Sequence, residues 1–300
     1  MAKQVLIYER AVPVSAQRHG KWSVKTGVDY SFAREVNSLP LLAIEFPNAA
    51  SEYAIVFAGT AEAVLPAVIL GLRDSENLYL GADGTWQGRY VPAFVRRYPF
   101  VFSGSEDGKT FTLCVDESFS GCNQEGRGEK LFDSEGQRTQ YLETMLAFLK
   151  EYQVRFIRTQ AFCRKLKELD LLEPMRAQIT LKTGQRMGLE GFMAVSRERL
   201  KKLTGDQLAS LAKTDELELL YLHMQSMRNF QAMLERVAPG QTTSPADTAP
   251  ERSDLPAAGE GEGKKAETKG PTTEKTAGKG KSGKSGPEPA PAGRRSSAVH

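Results

Sequence analysis

Histidine and cysteine are scarce in this chain, three of each in 300 residues. Cys114, Cys122 and Cys163 fit no zinc-ligand spacing, and an odd number does not close a disulfide framework. His19, His223 and His300 form neither an HxD nor an HExxH pattern, which removes the usual histidine-based iron and zinc sets. No metal and no cofactor is expected, and reduced thiols in the cytoplasm are the plain reading. Long apolar runs are missing too. The opening MAKQVLIYERAVPVS has a three-residue apolar run where a signal peptide needs about 7 to 15. No stretch approaches the roughly 20 apolar residues of a membrane span. The expectation is a soluble cytoplasmic chain, with non-classical export to the cell surface as the alternative.

The last fifth lacks almost everything that builds a core. From Pro239 to His300 there is no Phe, Tyr, Trp, Ile, Met or Cys, and Leu255 and Val299 are its only sizeable aliphatics. Such a segment cannot bury enough apolar surface to offset the entropy of ordering it, so residues 238–300 read as a disordered tail. The tail carries ten Lys/Arg and eight Asp/Glu, leaving thirty basic and twenty-nine acidic residues in the body. A body so close to neutral has no global field to draw in nucleic acid, and no nucleic-acid binding is expected of it.

What is present divides by period. Short strand candidates fill the first 120 residues: VLIY (5–8), PLLAIEF (40–46), YAIVFA (53–58), AVILGL (67–72) and LYLG (78–81). PFVFSGSEDGKTFTLCVDE reads as a hairpin, with Phe100 to Phe102 and Phe111 to Val115 on either side of Asp107-Gly108. After Ser134 the spacing becomes helical, in one stretch from Tyr141 to Tyr152 and a second from Phe156 to Leu169. QITLKTGQRMGLEGFMAVS is a second hairpin with Gly184 in its turn. Ser196 caps a helix reaching Leu203, Thr204 to Gln207 has capping-box spacing, and a last helix runs from about Asp215 to Arg236. The expected fold is one α+β domain over about residues 1–237. Its antiparallel β-rich first half precedes helices that carry one inserted hairpin.

Motifs of chemistry are few. GKGKSGKS (278–285) matches a phosphate-loop pattern letter for letter, but no strand leads in and no helix leads out, so a solvated linker explains it better. Cys114, Asp116 and Glu117 place a thiol beside two carboxylates at a strand end. They are weak candidates for a catalytic site, since no base is near in sequence. His223 reads as a satisfied histidine on a helix face.

The segment WQGRYVPAFVRRYPFVF (86–102) is the densest cluster, with six aromatics and three arginines. Trp86, Tyr90, Phe94 and Tyr98 recur every four residues, Pro92 suits a helix's first turn, and Pro99 ends it. Beyond Pro99 the period is two. Core rings at a helix-to-strand joint are the main expectation, with the arginines turned outward or paired to the CVDE carboxylates. The functional expectation is a partner surface for a protein or peptide, formed by Trp86, Arg89, Arg96 and Arg97.

Four stretches in order, YVPAFVRRYPF (90–100), LCVDE (113–117), LEGFMAVSRERLKKL (189–203) and LELLYLHMQSMRNFQAML (217–234), make the body resemble the SapC family. That family is named after a protein associated with bacterial surface layers. The resemblance implies a bacterial protein with an envelope or surface-layer association, and it brings no catalytic residues. Together these readings point to a non-catalytic protein that binds a protein or peptide, linked to surface-layer or outer-membrane uptake systems. The alternative is an accessory enzyme acting on peptides or small molecules through Cys114, Asp116 and Glu117.

Overall fold

A computed structural model describes residues 6–60, 63–105, 110–180 and 186–237, with the side chains of 177–187 left aside. The tail from residue 238, its GKGKSGKS match and the expected turns at Asp107-Gly108 and Gly184 lie outside the described residues.

The first half holds β1 (Ala11–Pro13), α1 (Ala16–His19), β2 (Ser23–Val24), β3 (Ser38–Pro40), α2 (Phe46–Ala49), β4 (Ala54–Gly59) and β5 (Val64–Ile69). Then come α3 (Ala93–Arg96), β6 (Phe100–Gly104), β7 (Phe111–Asp116), β8 (Cys122–Asn123) and β9 (Glu129–Lys130). The second half is α4 (Gln140–Glu168), the hairpin β10 (Leu172–Thr180) and β11 (Arg186–Val195), α5 (Arg197–Leu200), α6 (Gly205–Lys213), α7 (Glu216–Ser226) and α8 (Asn229–Arg236). The architecture is α+β, with a strand-rich half followed by helices that enclose one hairpin. The described strands form three antiparallel sheets, ordered β1-β7-β6, β10-β11-β4-β5-β3 and β8-β2-β9. The inserted hairpin therefore completes the central sheet begun by the first half.

Both expected hairpins form, and Phe100 faces Val115 across the first of them. Thr204 and Gln207 make the capping box of α6 through their side chains. Several elements differ from their sequence reading. The described part of VLIY is no strand: Leu6 and Ile7 turn, and the strand starts at Ala11. The Asp116 carboxylate causes this by accepting the amides of Glu9 and Arg10 at 2.7 and 3.0 Å, which bends the chain ahead of β1. PLLAIEF leaves the sheet after Pro40, because Glu45 accepts the Leu42 amide at 2.9 Å and Pro47 opens α2. A proline in a helix's first turn loses no hydrogen bond. LYLG supplies a lone bridge, Leu80 to Trp86. The two helical stretches after Ser134 are one helix of 29 residues, about 43 Å long.

The final helix is two, broken at Met227 and Arg228. The break follows from what the junction grips. Asn229 Nδ2 donates to the carbonyls of Ala50 and Tyr53, both at 2.8 Å, and Ser226 Oγ accepts the Ile55 amide at 3.0 Å. His223, fully buried, completes the grip. β11 pairs with β4 through Phe192–Ala58 and Met193–Phe57, a register that would put Val195 opposite Ile55. The imidazole sits between those two residues: Nδ1–H donates to the Ile55 carbonyl at 2.9 Å, and Nε2 accepts the Val195 amide at 3.0 Å. One ring thus replaces a ladder hydrogen bond where the strands part. Burial pulls its pKa down to about 4, so the neutral ring is the native form. The satisfied-histidine reading holds.

Candidate functional site

The segment from Trp86 to Tyr98 is fastened to the chain just before β4 by two carboxylates. Glu45 is buried, and its carboxylate accepts the Tyr90 hydroxyl and the Ala93 amide, each at 2.7 Å. Glu52 accepts the amides of Arg89 and Tyr90 at 2.9 and 3.1 Å. Tyr53 joins them: its hydroxyl donates to the Tyr90 carbonyl and accepts from Trp86 Nε1 at 2.9 Å. Only Ala93 to Arg96 are α-helical, so the four-residue spacing of Trp86, Tyr90, Phe94 and Tyr98 is not one helical stripe. Trp86 and Tyr90 lie on irregular chain, which these side chains hold in place. Phe94, Tyr98 and Phe100 are buried, as core rings should be.

The three arginines separate. Arg89 is exposed, and its own amide is what ties it to Glu52. Arg96 is exposed; its Nε donates to the Val91 carbonyl at 3.0 Å, and its guanidinium lies 5.8 Å from the Tyr90 ring and 5.5 Å from Phe148 of α4. Arg97 corrects the expectation of an outward trio. It is 6% exposed, with its guanidinium 4.1 Å from the Phe94 ring, 4.7 Å from Tyr152 and 5.6 Å from Tyr8. A weakly hydrated planar cation suits such an aromatic cage. Burial pushes the Tyr152 hydroxyl up to about 12, eased by the Arg97 charge, and raises that of Tyr8 as well, so both hydroxyls stay neutral beside it. Trp86 is half-buried with its indole nitrogen committed to Tyr53, so it frames the segment more than it projects from it.

None of the three arginines pairs with the CVDE carboxylates. Asp116 is fully buried and accepts the amides of Glu9, Arg10 and Ser118, with the Tyr98 hydroxyl at 3.4 Å. Glu117 instead meets Arg18 in a two-point pair, with Arg10 at 3.7 Å and His19 Nε2 at 3.2 Å. The Arg18 guanidinium holds the Glu117 carboxyl below its ordinary range. His19 Nδ1 accepts the Ser15 amide at 3.2 Å, so the proton of the neutral ring faces Glu117. With both nitrogens engaged, this buried imidazole offers no lone pair to a nucleophile.

Cys114 is 3% exposed, its thiol directed at the Thr112 carbonyl 3.7 Å away, and burial raises its pKa. Cys122 is pushed up to about 12 by burial, then by the charges of Asp116 and Glu117. Carboxylates beside a thiol oppose the thiolate that a nucleophile needs. Cys163, inside α4, is pushed up to about 12 by burial. A surface concavity of about 450 Å³ lies where β4 meets the second hairpin, lined by Gly59, Met175, Arg176, Glu190 and Phe192 among others. It contains none of the sequence-predicted site residues. Among the described residues no group of His, Cys, Asp and Glu could hold a metal ion, and no helix is long and apolar enough to cross a membrane.

Sequence reasoning passed over Glu45 and Glu52. A signal existed for Glu45: a lone carboxylate inside the apolar run LLAIEF must find donors or neutralise when buried.

Comparison with known proteins adds one match. The SapC family model matches residues 14–233. That span takes in the fastened segment, the Asp116 corner, the second hairpin and the His223 wedge. No curated protein and no solved structure matches the chain.

Proposed function

The chain belongs to the SapC family, and we propose that it is a non-catalytic binding protein whose partner is a protein or peptide. One observation carries this reading: Arg89 and Arg96 are exposed on a segment whose backbone is fixed from inside by Glu45, Glu52 and Tyr53. Cations presented on a rigid frame lose little entropy on engagement, which favours specific contact with carboxylates or carbonyls of a partner. Tyr90 and Phe148, stacked with Arg96, add apolar area at the same place. The family's link to bacterial surface layers supports a role in surface-layer or outer-membrane uptake systems, with the cytoplasm as the protein's own compartment. The accessory-enzyme reading finds no comparable support, because the thiols of Cys114 and Cys122 are both raised.

Affinity capture from native lysate tests the proposal. Full-length protein enriches a discrete partner, and an Arg89→Glu/Arg96→Glu variant of unchanged melting temperature loses it. Equal enrichment by both, or by neither, rejects the surface.

A further inference from the structure

Helix α8 is eight residues long, about 12 Å from Asn229 to Arg236. Its first residue and its last both reach the short turn that precedes β4. At the start, Asn229 Nδ2 donates to the carbonyls of Ala50 and Tyr53. At the end, the Arg236 guanidinium lies 4.3 Å from the centre of the Tyr79 ring, and its Nη2 is 3.9 Å from Glu52 Oε1. At that distance the attraction is Coulombic, without a hydrogen bond. A basic residue in a helix's last turn is explained by the helix dipole, so the presence of Arg236 alone says little. What it reaches says more.

Glu52 is the carboxylate that holds the amides of Arg89 and Tyr90, and its side chain is 9% exposed. A carboxylate so enclosed needs compensating charge as well as donors. Among the described residues Arg236 is the one cation within ion-pair distance of it. Tyr79 ties the same corner together. Its hydroxyl donates to the Glu52 carbonyl at 2.9 Å, and its ring lies 4.6 Å from that of Tyr53, whose hydroxyl engages Trp86 and the Tyr90 carbonyl. Burial pushes the Tyr79 hydroxyl up to about 12, eased by the Arg236 charge, so it stays a neutral donor. Guanidinium, carboxylate and two phenols form a continuous set of contacts from the end of α8 to the backbone of Arg89 and Tyr90.

We propose that Arg236 is a positioning residue for the candidate partner surface: through Glu52 it couples the end of α8 to the backbone that presents Arg89. The functional meaning of this coupling rests on the partner-surface reading, while the coupling itself rests on the contacts of Glu52. Coupling between two places in a fold is reciprocal. Loosening the last turn of α8 loosens the amides of Arg89 and Tyr90, and a partner that fastens Arg89 also fastens the end of α8.

Amide hydrogen exchange of the full-length protein, read residue by residue by NMR, tests the proposal without any partner. Arg236→Gln removes the charge and speeds exchange at the Arg89 and Tyr90 amides about fivefold, while the Ser118 amide, held by Asp116, keeps its rate. Arg236→Lys restores slow exchange in part, because it returns the charge without the planar stack. Glu52→Gln speeds exchange at the amides of Glu235 and Arg236 in turn. Unchanged exchange at Arg89 and Tyr90 overturns the proposal, as does equal acceleration at Ser118, which marks a general loss of stability. So does failure of lysine to rescue, or an α8 end indifferent to Glu52→Gln. Capture from lysate is a separate measurement. A partner surface that fails there leaves this coupling standing, and a coupling that fails here leaves Arg89 and Arg96 to be judged by capture.

Discussion

Arg96 and Arg97 are adjacent in the chain and opposite in environment. The first lies on the surface over Tyr90 and Phe148, and the second is enclosed by Phe94, Tyr152 and Tyr8. Arg97→Ala removes three cation–ring contacts and opens a cavity, at a cost of about 3 kcal/mol. Arg96→Ala changes stability by about 0.5 kcal/mol or less. Urea melts of the two variants measure this directly, and equal costs would contradict the inward placement of Arg97.

Stability falls in mild acid through His223. Its native pKa is about 4 against an ordinary 6.5. The stabilisation is therefore fully present above about pH 6.5, where both states are neutral. It is lost as pH falls toward 4, because the unfolded chain takes a proton that the native wedge refuses. The loss is about 1.4 kcal/mol per pH unit across that window, or about 3 kcal/mol in all. His223→Ala strands the Val195 amide and the Ile55 carbonyl, so it lowers stability at pH 7 and removes this component of the pH slope. An unchanged slope in the variant would locate the proton elsewhere.

Asp116 is the anchor of the first residues. Asp116→Ala leaves the amides of Glu9, Arg10 and Ser118 without their acceptor, at a cost on the order of 3–5 kcal/mol. Asp116→Asn keeps one acceptor oxygen and loses less. Hydrogen exchange at the Glu9 and Arg10 amides reads the effect locally, with faster exchange expected in both variants.

Cysteine reactivity discriminates against thiol catalysis. Cys114 and Cys163 are buried, and at pH 8 a thiol with a pKa of about 12, such as Cys122, is roughly one ten-thousandth ionised. Iodoacetamide at pH 8 labels native protein slowly and labels all three thiols quickly in urea. Rapid native labelling of Cys114 would revive the enzyme reading.

Local signals carried much of the fold. The pairing of Phe100–Gly104 with Phe111–Val115, the second hairpin and the Thr204–Gln207 capping box depend on neighbours close in sequence, so they were legible there. The misreadings share another cause. VLIY has strand composition, yet Asp116, more than a hundred residues away, bends it. The last helix has unbroken helical spacing, yet it breaks at Met227 and Arg228, ahead of Asn229, whose side chain reaches the carbonyls of Ala50 and Tyr53. The candidate site shows the same divide. Aromatic density marked the segment that Glu45 and Glu52 hold in place, but whether Arg96 or Arg97 faced inward depended on Tyr8 and Tyr152, which the pattern of residues 86–102 does not contain.

Site-specific photo-crosslinking in the native cell tests the partner surface most directly. Benzoylphenylalanine at position 89 should give a discrete heteromeric product, lost when Arg96→Glu is added, while the same group at exposed Lys213 gives none. No heteromeric product from position 89, or the same products from both positions, would contradict the account.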